Sequence, residues 1–330
     1  MSSIVKKLGL GRMVYWSYYA PKSLVQRWIQ RDPFRRSIDA WGQHQMEAAA
    51  YQLQPLSVQQ NPAEIHFLSG RMFWYQTCFC AYSMVQQAKM YLRPVIYDDG
   101  TLQAQHRAAI QRIFPDVRMI DYQEIEAHLD ANLPRHKFPA LRSNRLTYPH
   151  LRKLTDIHAG SQGWKLVLDS DMLFFHSPTL LMDWLRSPQS ACHMVDIKTV
   201  YGYSSDLMTE LAGVPIPERI NVGVCGLQSE AMDWEELEFW CKTMIDREGK
   251  SYYQEQAITA MLMARQPRMA VPAEAYVVMP DRQEVLSPQA ILHHYVDKSK
   301  PWYFRYAWKH IINHAELDSR FSDSPFVVEA

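Results

Sequence analysis

The run Lys165-Leu-Val-Leu-Asp169-Ser170-Asp171-Met-Leu-Phe-Phe175 is a strand-like apolar stretch that ends on two carboxylates spaced two apart, after which apolar chain resumes at once. Two hard oxygen ligands at the end of a buried strand stand where a divalent cation can bridge protein to phosphate. Holding such a pair in a low-dielectric setting without a cation or a proton is costly, because like charges repel and desolvation adds to the penalty. Taken alone, the pair is equally readable as a strand-end turn with solvated carboxylates. A third reading is the phosphatase-type loop whose first carboxylate is a nucleophile. That loop calls for Thr or Val two residues after the second Asp and a place on a first strand. Here Leu173 stands at that position and the motif lies mid-chain.

The second segment able to do chemistry is His293-His294-Tyr-Val-Asp297-Lys-Ser-Lys300-Pro301-Trp302. A lone histidine is more often a satisfied structural residue than a ligand. A histidine followed six residues later by Lys-Pro-Trp is more particular: imidazole completes a metal site, and the lysine neutralises phosphate oxygens.

The elements that must position these groups alternate. Glu64–Leu68 reads as a strand ending at Ser69-Gly70, followed by a long helical pattern through Ala88. Arg93–Tyr97 reads as the next strand, closed by the turn signal Asp98-Asp99-Gly100. A helix over roughly 102–113, the strand Val117–Ile120 and a helix over about 147–160 lead to the Asp-x-Asp strand. Such alternation predicts a mostly parallel sheet with helices on both faces, and ligands gather at the carboxyl ends of its strands. Past residue 190 the pattern is less regular, with a strand over Asn221–Leu227 and helices over 231–246 and 254–264. The first 60 residues read as a helical, aromatic-rich extension, residues 61–310 as the main domain and 311–330 as a tail.

Bulk properties bound the function. The 35 basic and 35 acidic residues cancel, so whole-chain charge gives no support to nucleic-acid binding. The charge is uneven, however: residues 1–60 hold eight Lys/Arg against Asp32, Asp39 and Glu47. Five cysteines, an odd number without CxxC pairing, fit reduced thiols and a cytoplasmic protein. Cys78-x-Cys80 falls in a predicted helix, where residues two apart point to different faces, which argues against a metal role. No apolar leader opens the chain and no stretch reaches transmembrane length. The basic-aromatic stretches within 1–36 and 302–309 suit peripheral contact with an anionic membrane. The plainer reading is that their aromatics pack on the domain.

With these motifs in order, residues 63–302 resemble the GT-A glycosyltransferases, most closely the family 8 type, which uses a nucleotide-sugar donor and retains anomeric configuration. Tyr97-Asp98-Asp-Gly-Thr-Leu102 is similar to the family's turn after its second strand. Arg152, seventeen residues before Asp169, stands where the family has an arginine that reaches the donor. Leu168-Asp-Ser-Asp171 resembles the metal motif, and Ile220-Asn221-Val-Gly223 the Asn-x-Gly strand beside the transferred sugar. Glu255-Gln256 falls where the family carries Asp-Gln. His294 to Trp302 has the family's nine-residue spacing.

The resemblance implies a GT-A (Rossmann-like) fold and a metal site of Asp169, Asp171 and His294. Mn²⁺ suits such mixed ligation, with Mg²⁺ close behind. It also implies donor contacts from Arg152, Lys300, Asp98 and Gly223, and catalytic contacts from Gln256, Asn221 and Glu255. The implied donor is a UDP-sugar and the acceptor an unidentified glycan, lipid or protein. Two differences stand out. Asp297 replaces the glycine usual three residues after the metal histidine, and Ser69-Gly70-Arg71 replaces the acidic and Asn residues that hold base and ribose. A catalytically silent nucleotide-sugar binder and a metal-dependent phosphohydrolase remain the rival readings.

Overall fold

The computed structural model describes residues 33–88 and 90–312. The basic-aromatic segment at 13–19 and nearly all of the tail lie outside the described residues. Seven strands form the main sheet: β1 (Ala63–Ser69), β2 (Leu92–Asp98), β3 (Arg118–Ile120), β4 (Trp164–Leu168), β6 (Ala191–Val195), β7 (Ile220–Gln228) and β8 (Arg268–Ala270), in the order β3-β2-β1-β4-β7-β6-β8. A second sheet of three short strands, β5 (Met172–Phe174), β9 (Tyr276–Val278) and β10 (Leu292–His294), runs β5-β10-β9.

In the main sheet β1 pairs parallel with β2 and β4, and β2 with β3. Only β7 is reversed, antiparallel to both β4 and β6. The strands are apolar on both sides because both faces are covered. Ile65, Phe67, Leu166 and Leu168 belong to one core, while Val95, Tyr97 and Val167 belong to the other. The two-residue period of a strand thus divides one sequence between two cores.

Helix Trp74–Ala88 fills the first core and is buried without a break from Trp74 to Val85, Cys78 and Cys80 included. An all-round buried helix must satisfy its polar groups locally, and here they grip the neighbouring loop. Thr77 Oγ1 lies 2.8 Å from both Ser69 Oγ and Ser170 Oγ, and Phe174 N–H donates to Ser83 Oγ at 3.1 Å.

The helical reading of the early chain holds for Pro33–Ala50, and residues 53–60 have no regular structure. Met46, Ala49, Ala50 and Leu53 join the first core. Gly42 allows the approach to the C-terminal helical segment, since a Cβ there would sit 2.7 Å from the Phe304 carbonyl oxygen. In that segment Tyr303, Phe304, Ala307 and Trp308 are buried, as the plainer reading of 302–309 expects. No helix among the described residues is long and apolar enough to cross a membrane. The helix expected over 147–160 breaks into a 3-10 turn, Pro149–Leu151, and a helix, Arg152–His158. The reason is steric: Pro149 pushes Tyr148 into extended backbone.

Candidate functional site

One edge of the main sheet collects the carboxyl ends of β1, β2, β4 and β6 and the amino end of the reversed β7. It therefore places Asp169, Asp196 and Asn221 together. Asp169 N–H donates to the Gly223 carbonyl at 2.8 Å, continuing the β4–β7 ladder one residue beyond Leu168. Between β1 and β4 the chain order reverses, which is the switch point where open α/β sheets bind ligands. Asp169-Ser170-Asp171 leaves this edge and enters β5, and β10 pairs antiparallel with β5 so that His294 faces Met172. Tyr295 N–H donates to the Asp171 carbonyl at 2.9 Å. That register delivers a histidine 123 residues downstream to the two aspartates.

The three side chains converge. Asp169, Asp171 and His294 each offer a ligand atom, and these atoms lie within 4.8 Å of one another. His294 Nε2 is 3.3 Å from Asp171 Oδ1 and 3.6 Å from Asp169 Oδ2. Its other nitrogen, Nδ1, is 3.2 Å from Asn221 Oδ1. That oxygen also accepts from Gly223 N–H at 2.9 Å, while Asn221 Nδ2 donates to Asp196 at 3.0 Å. The amide orientation is therefore set from both sides, so that Nδ1 donates to Asn221 and Nε2 is the nitrogen turned to the carboxylates. Lone pair against carboxylate is repulsive unless a cation or proton lies between them. Two carboxylates at that separation repel by roughly 3 kcal/mol at an effective dielectric of about 20. Hard oxygens with one imidazole are a donor set that fits Mn²⁺ or Mg²⁺.

Two lysines flank the pair. Lys300 Nζ is 2.6 Å from Asp171 Oδ2. Burial works to raise the Asp171 pKa, but the Lys300 ammonium and His294 outweigh it and hold the carboxyl well below its usual range. Lys153 Nζ is 2.9 Å from Asp169 Oδ1 and 3.5 Å from Glu255 Oε1. Burial opposes charge on Lys153, yet Asp169 and Glu255 hold it firmly protonated. Glu255 itself is pushed up to about 7, chiefly by burial, with Lys153 pulling down and Asp169 pushing up.

Of the residues expected at the site, Asp169, Asp171, His294, Lys300, Asn221, Gly223, Glu255 and Gln256 form one connected cluster. Gln256 Nε2 donates to the Ile220 carbonyl at 2.8 Å and approaches Asp196 Oδ2 at 3.4 Å. Gly223 lies against His294, and a Cβ on it would sit 2.5 Å from Nδ1.

Arg152 and Asp98 are placed differently. Arg152 donates to Asp156 Oδ2 at 2.8 Å and to the Asp99 carbonyl at 2.9 Å, and one terminal nitrogen is buried without a partner among the described residues. The Asp98 carboxylate is taken up by the amides of Gly100, Thr101 and Leu102, at 2.8, 3.1 and 3.1 Å, and by Arg107. It shapes the turn. Lys153 and Asp196 were not singled out from the sequence. Lys153 adjoins Arg152, and the first turn of a short helix aims these neighbours in different directions. Asp297 adopts φ +45°, the left-handed backbone glycine favours, so the conformation survives the side-chain change.

No protein-family model matches this sequence, and no curated protein matches it. Solved structures do. A galactosyltransferase, LgtC, in complex with donor and acceptor sugar analogs is 18% identical with a TM-score of 0.50, covering 79% of this chain and 97% of that one. The chain has the GT-A fold. An active-site mutant of LgtC gives TM-score 0.51 at 18% identity, over 77% of this chain and 95% of the other. The WbbM bifunctional glycosyltransferase in its apo form gives 0.51 at 10% identity, over 82% of this chain and 51% of that one.

Proposed function

We propose that this GT-A protein is a metal-dependent glycosyltransferase that moves a sugar from a nucleotide-sugar donor to an acceptor hydroxyl with retention of configuration. The observation that carries the reading is the convergence of Asp169, Asp171 and Nε2 of His294 at the sheet's switch point, flanked by Lys153 and Lys300. A divalent ion held by those three groups would supply charge stabilisation for the departing nucleoside diphosphate.

The chain's own groups do the rest. Lys300 pairs with phosphate oxygens as they displace it from Asp171, and the unpartnered Arg152 nitrogen is the second candidate for that role. Asp169, half-buried, and the buried Lys153 and Glu255 form a polar wall able to orient sugar hydroxyls. Gln256 and Asn221 are held by Ile220 and Asp196, so their polar atoms are positioned before substrate arrives, which favours developing positive charge at the anomeric carbon. The resemblance points to a UDP-sugar as donor.

The test is donor hydrolysis across a UDP-sugar panel with Mn²⁺, Mg²⁺ or EDTA. Activity is expected with Mn²⁺ and lost with EDTA, and Asp171→Asn should lower the rate by about 10²-fold or more. Metal-independent turnover, or full activity in Asp171→Asn, would overturn the clamp. A trapped aspartyl-phosphate would favour a phosphohydrolase instead.

A further inference from the structure

The other edge of the main sheet, where β1 to β4 begin, holds cations that lack a counter-charge. The register sets Arg93 on one side of Glu64, and Lys165 on the other, one step before the pair Ile65 and Leu166. One row further along the same face, Arg118, Val95 and His66 are neighbours. The acids nearby are already engaged. Glu64 takes Arg93 at 2.7 Å, and Glu230 accepts from the Gly163 N–H at 2.6 Å and from Gln228 Nε2 at 2.9 Å. Lys165 and Arg118 form no ion pair among the described residues. They are within electrostatic reach of each other all the same: burial lowers the Lys165 pKa, Glu64 and Glu230 raise it, and Arg118 lowers it again. Below these cations two nitrogens are buried without a partner among the described residues, Arg93 Nε and Nδ1 of His66, a residue only 3% exposed.

We propose that Lys165, Arg118, Arg93 and His66 form a phosphate-binding site at the amino ends of β1 to β4. Two unpaired cations in electrostatic reach of each other repel, and an anion between them removes that repulsion. Buried nitrogens without a partner are costly, and the same anion supplies an acceptor for them. A carboxylate is satisfied by one guanidinium, as Glu64 is by Arg93. The oxygens of a phosphate accept from donors on several neighbouring strands at once, which is the arrangement here. Burial is graded to match: Arg118 is exposed, Lys165 and Arg93 are partly buried, and His66 is buried, so the site opens to solvent at its cationic rim. It is also separate from the candidate metal site. Four residues of β4 and its end lie between Lys165 and Asp169, roughly 13 Å at about 3.3 Å per strand residue. The inference therefore does not depend on the transferase reading.

The probe is inorganic phosphate, followed by phosphorus NMR line broadening on the full chain without divalent cation, with ionic strength held constant by sodium chloride. The wild-type protein should broaden the signal saturably. Lys165→Gln and Arg118→Gln should each weaken binding about tenfold, the loss of one charge-assisted contact. Lys300→Gln, at the candidate metal site, should leave the affinity unchanged. Arg118 is exposed, so its variant keeps the fold and decides the matter even where Lys165→Gln does not fold, which circular dichroism checks. Absence of saturable broadening, or wild-type affinity in Arg118→Gln, overturns the site. Weakening in Lys300→Gln alone assigns the phosphate to the sheet's other edge and overturns it too. Glucose 6-phosphate and phosphatidic acid vesicles then distinguish the carrier. Tighter, Arg118-dependent binding of the first names a soluble phosphate ester, and of the second a lipid headgroup.

Discussion

Gly223 is where a single methyl group should separate folding from cation binding. The residue lies in β7 at negative φ, so alanine is conformationally acceptable there, but its Cβ would sit 2.5 Å from His294 Nδ1, 2.6 Å from Cε1 and 3.0 Å from Asn221 Oδ1. Ordinary contact begins near 3.4 Å, so the imidazole must retreat by roughly 1 Å. It is 3% exposed and has little room to do so. Overpacking of this kind costs about 1–3 kcal/mol, offset by about 0.5–1 kcal/mol for replacing a strand glycine. The larger effect falls on the site, because the retreat breaks the Asn221 contact that sets the tautomer. Losing such a supporting contact costs about 10- to 100-fold in metal affinity. The matched control is Gly226→Ala, in the same strand, whose Cβ would press on Trp184 at 2.5 Å and Cys192 Sγ at 2.7 Å, in the core. Calorimetric Mn²⁺ titration and urea denaturation of both variants decide the matter. Both should lose stability and only Gly223→Ala should lose Mn²⁺ affinity. Equal Mn²⁺ affinity in the two would refute the role given to His294.

Asp156 accepts from Arg145 and Arg152 in a fully buried ion cluster, so Asp156→Ala should cost about 3–5 kcal/mol by urea denaturation, and a loss under 1 kcal/mol would contradict the burial argument. Asp297→Gly should be tolerated, whereas Asp297→Val, a branched residue in left-handed backbone, should lower stability by about 1–2 kcal/mol; equal melting of the two would contradict it. His66 and His158 are held neutral mainly by burial, His158 down to about 3. The unfolded chain takes up protons below pH about 6.5 while the folded chain does not, so each costs up to about 1.4 kcal/mol per unit as pH falls below that value. Glu255, raised to about 7, acts oppositely and gains stability for the fold as pH drops from 7 toward its usual range. Two histidines outweigh one glutamate, so the melting temperature should fall between pH 7 and 5 and fall less in His158→Gln; a flat profile counts against the neutral assignment.

How much of this was legible varies with the length of the pattern. β1, β2, β7 and helix Gln254–Ala264 announce themselves through mostly apolar stretches or a helical period bounded by turn residues. β5, β9 and β10 are three residues each, too short for any period to show, and their pairing is a tertiary event. Helix Trp74–Ala88 was legible as a helix, but its sidedness was not. Residues on every face are buried because the early helix and the C-terminal segment cover what the sheet does not.

The candidate site follows the same logic at the level of single residues. The Asp-x-Asp pair is local, so its spacing alone carried the idea of a cation. His294 joins it only because β10 pairs with β5 in one register, and a shift of one residue would present His293, which instead turns to Glu284 and Tyr295. Two adjacent histidines on a strand must face opposite ways, so choosing between them is the same question as choosing that register. The Arg152–Lys153 pair poses the helical version. Adjacent residues there diverge by about 100°, and the buried carboxylate Asp156, one turn on, claims Arg152 and leaves Lys153 to Asp169 and Glu255. A sequence motif therefore names the types of group a site contains. Which of two neighbouring cations or imidazoles enters it is decided by competing partners elsewhere in the fold.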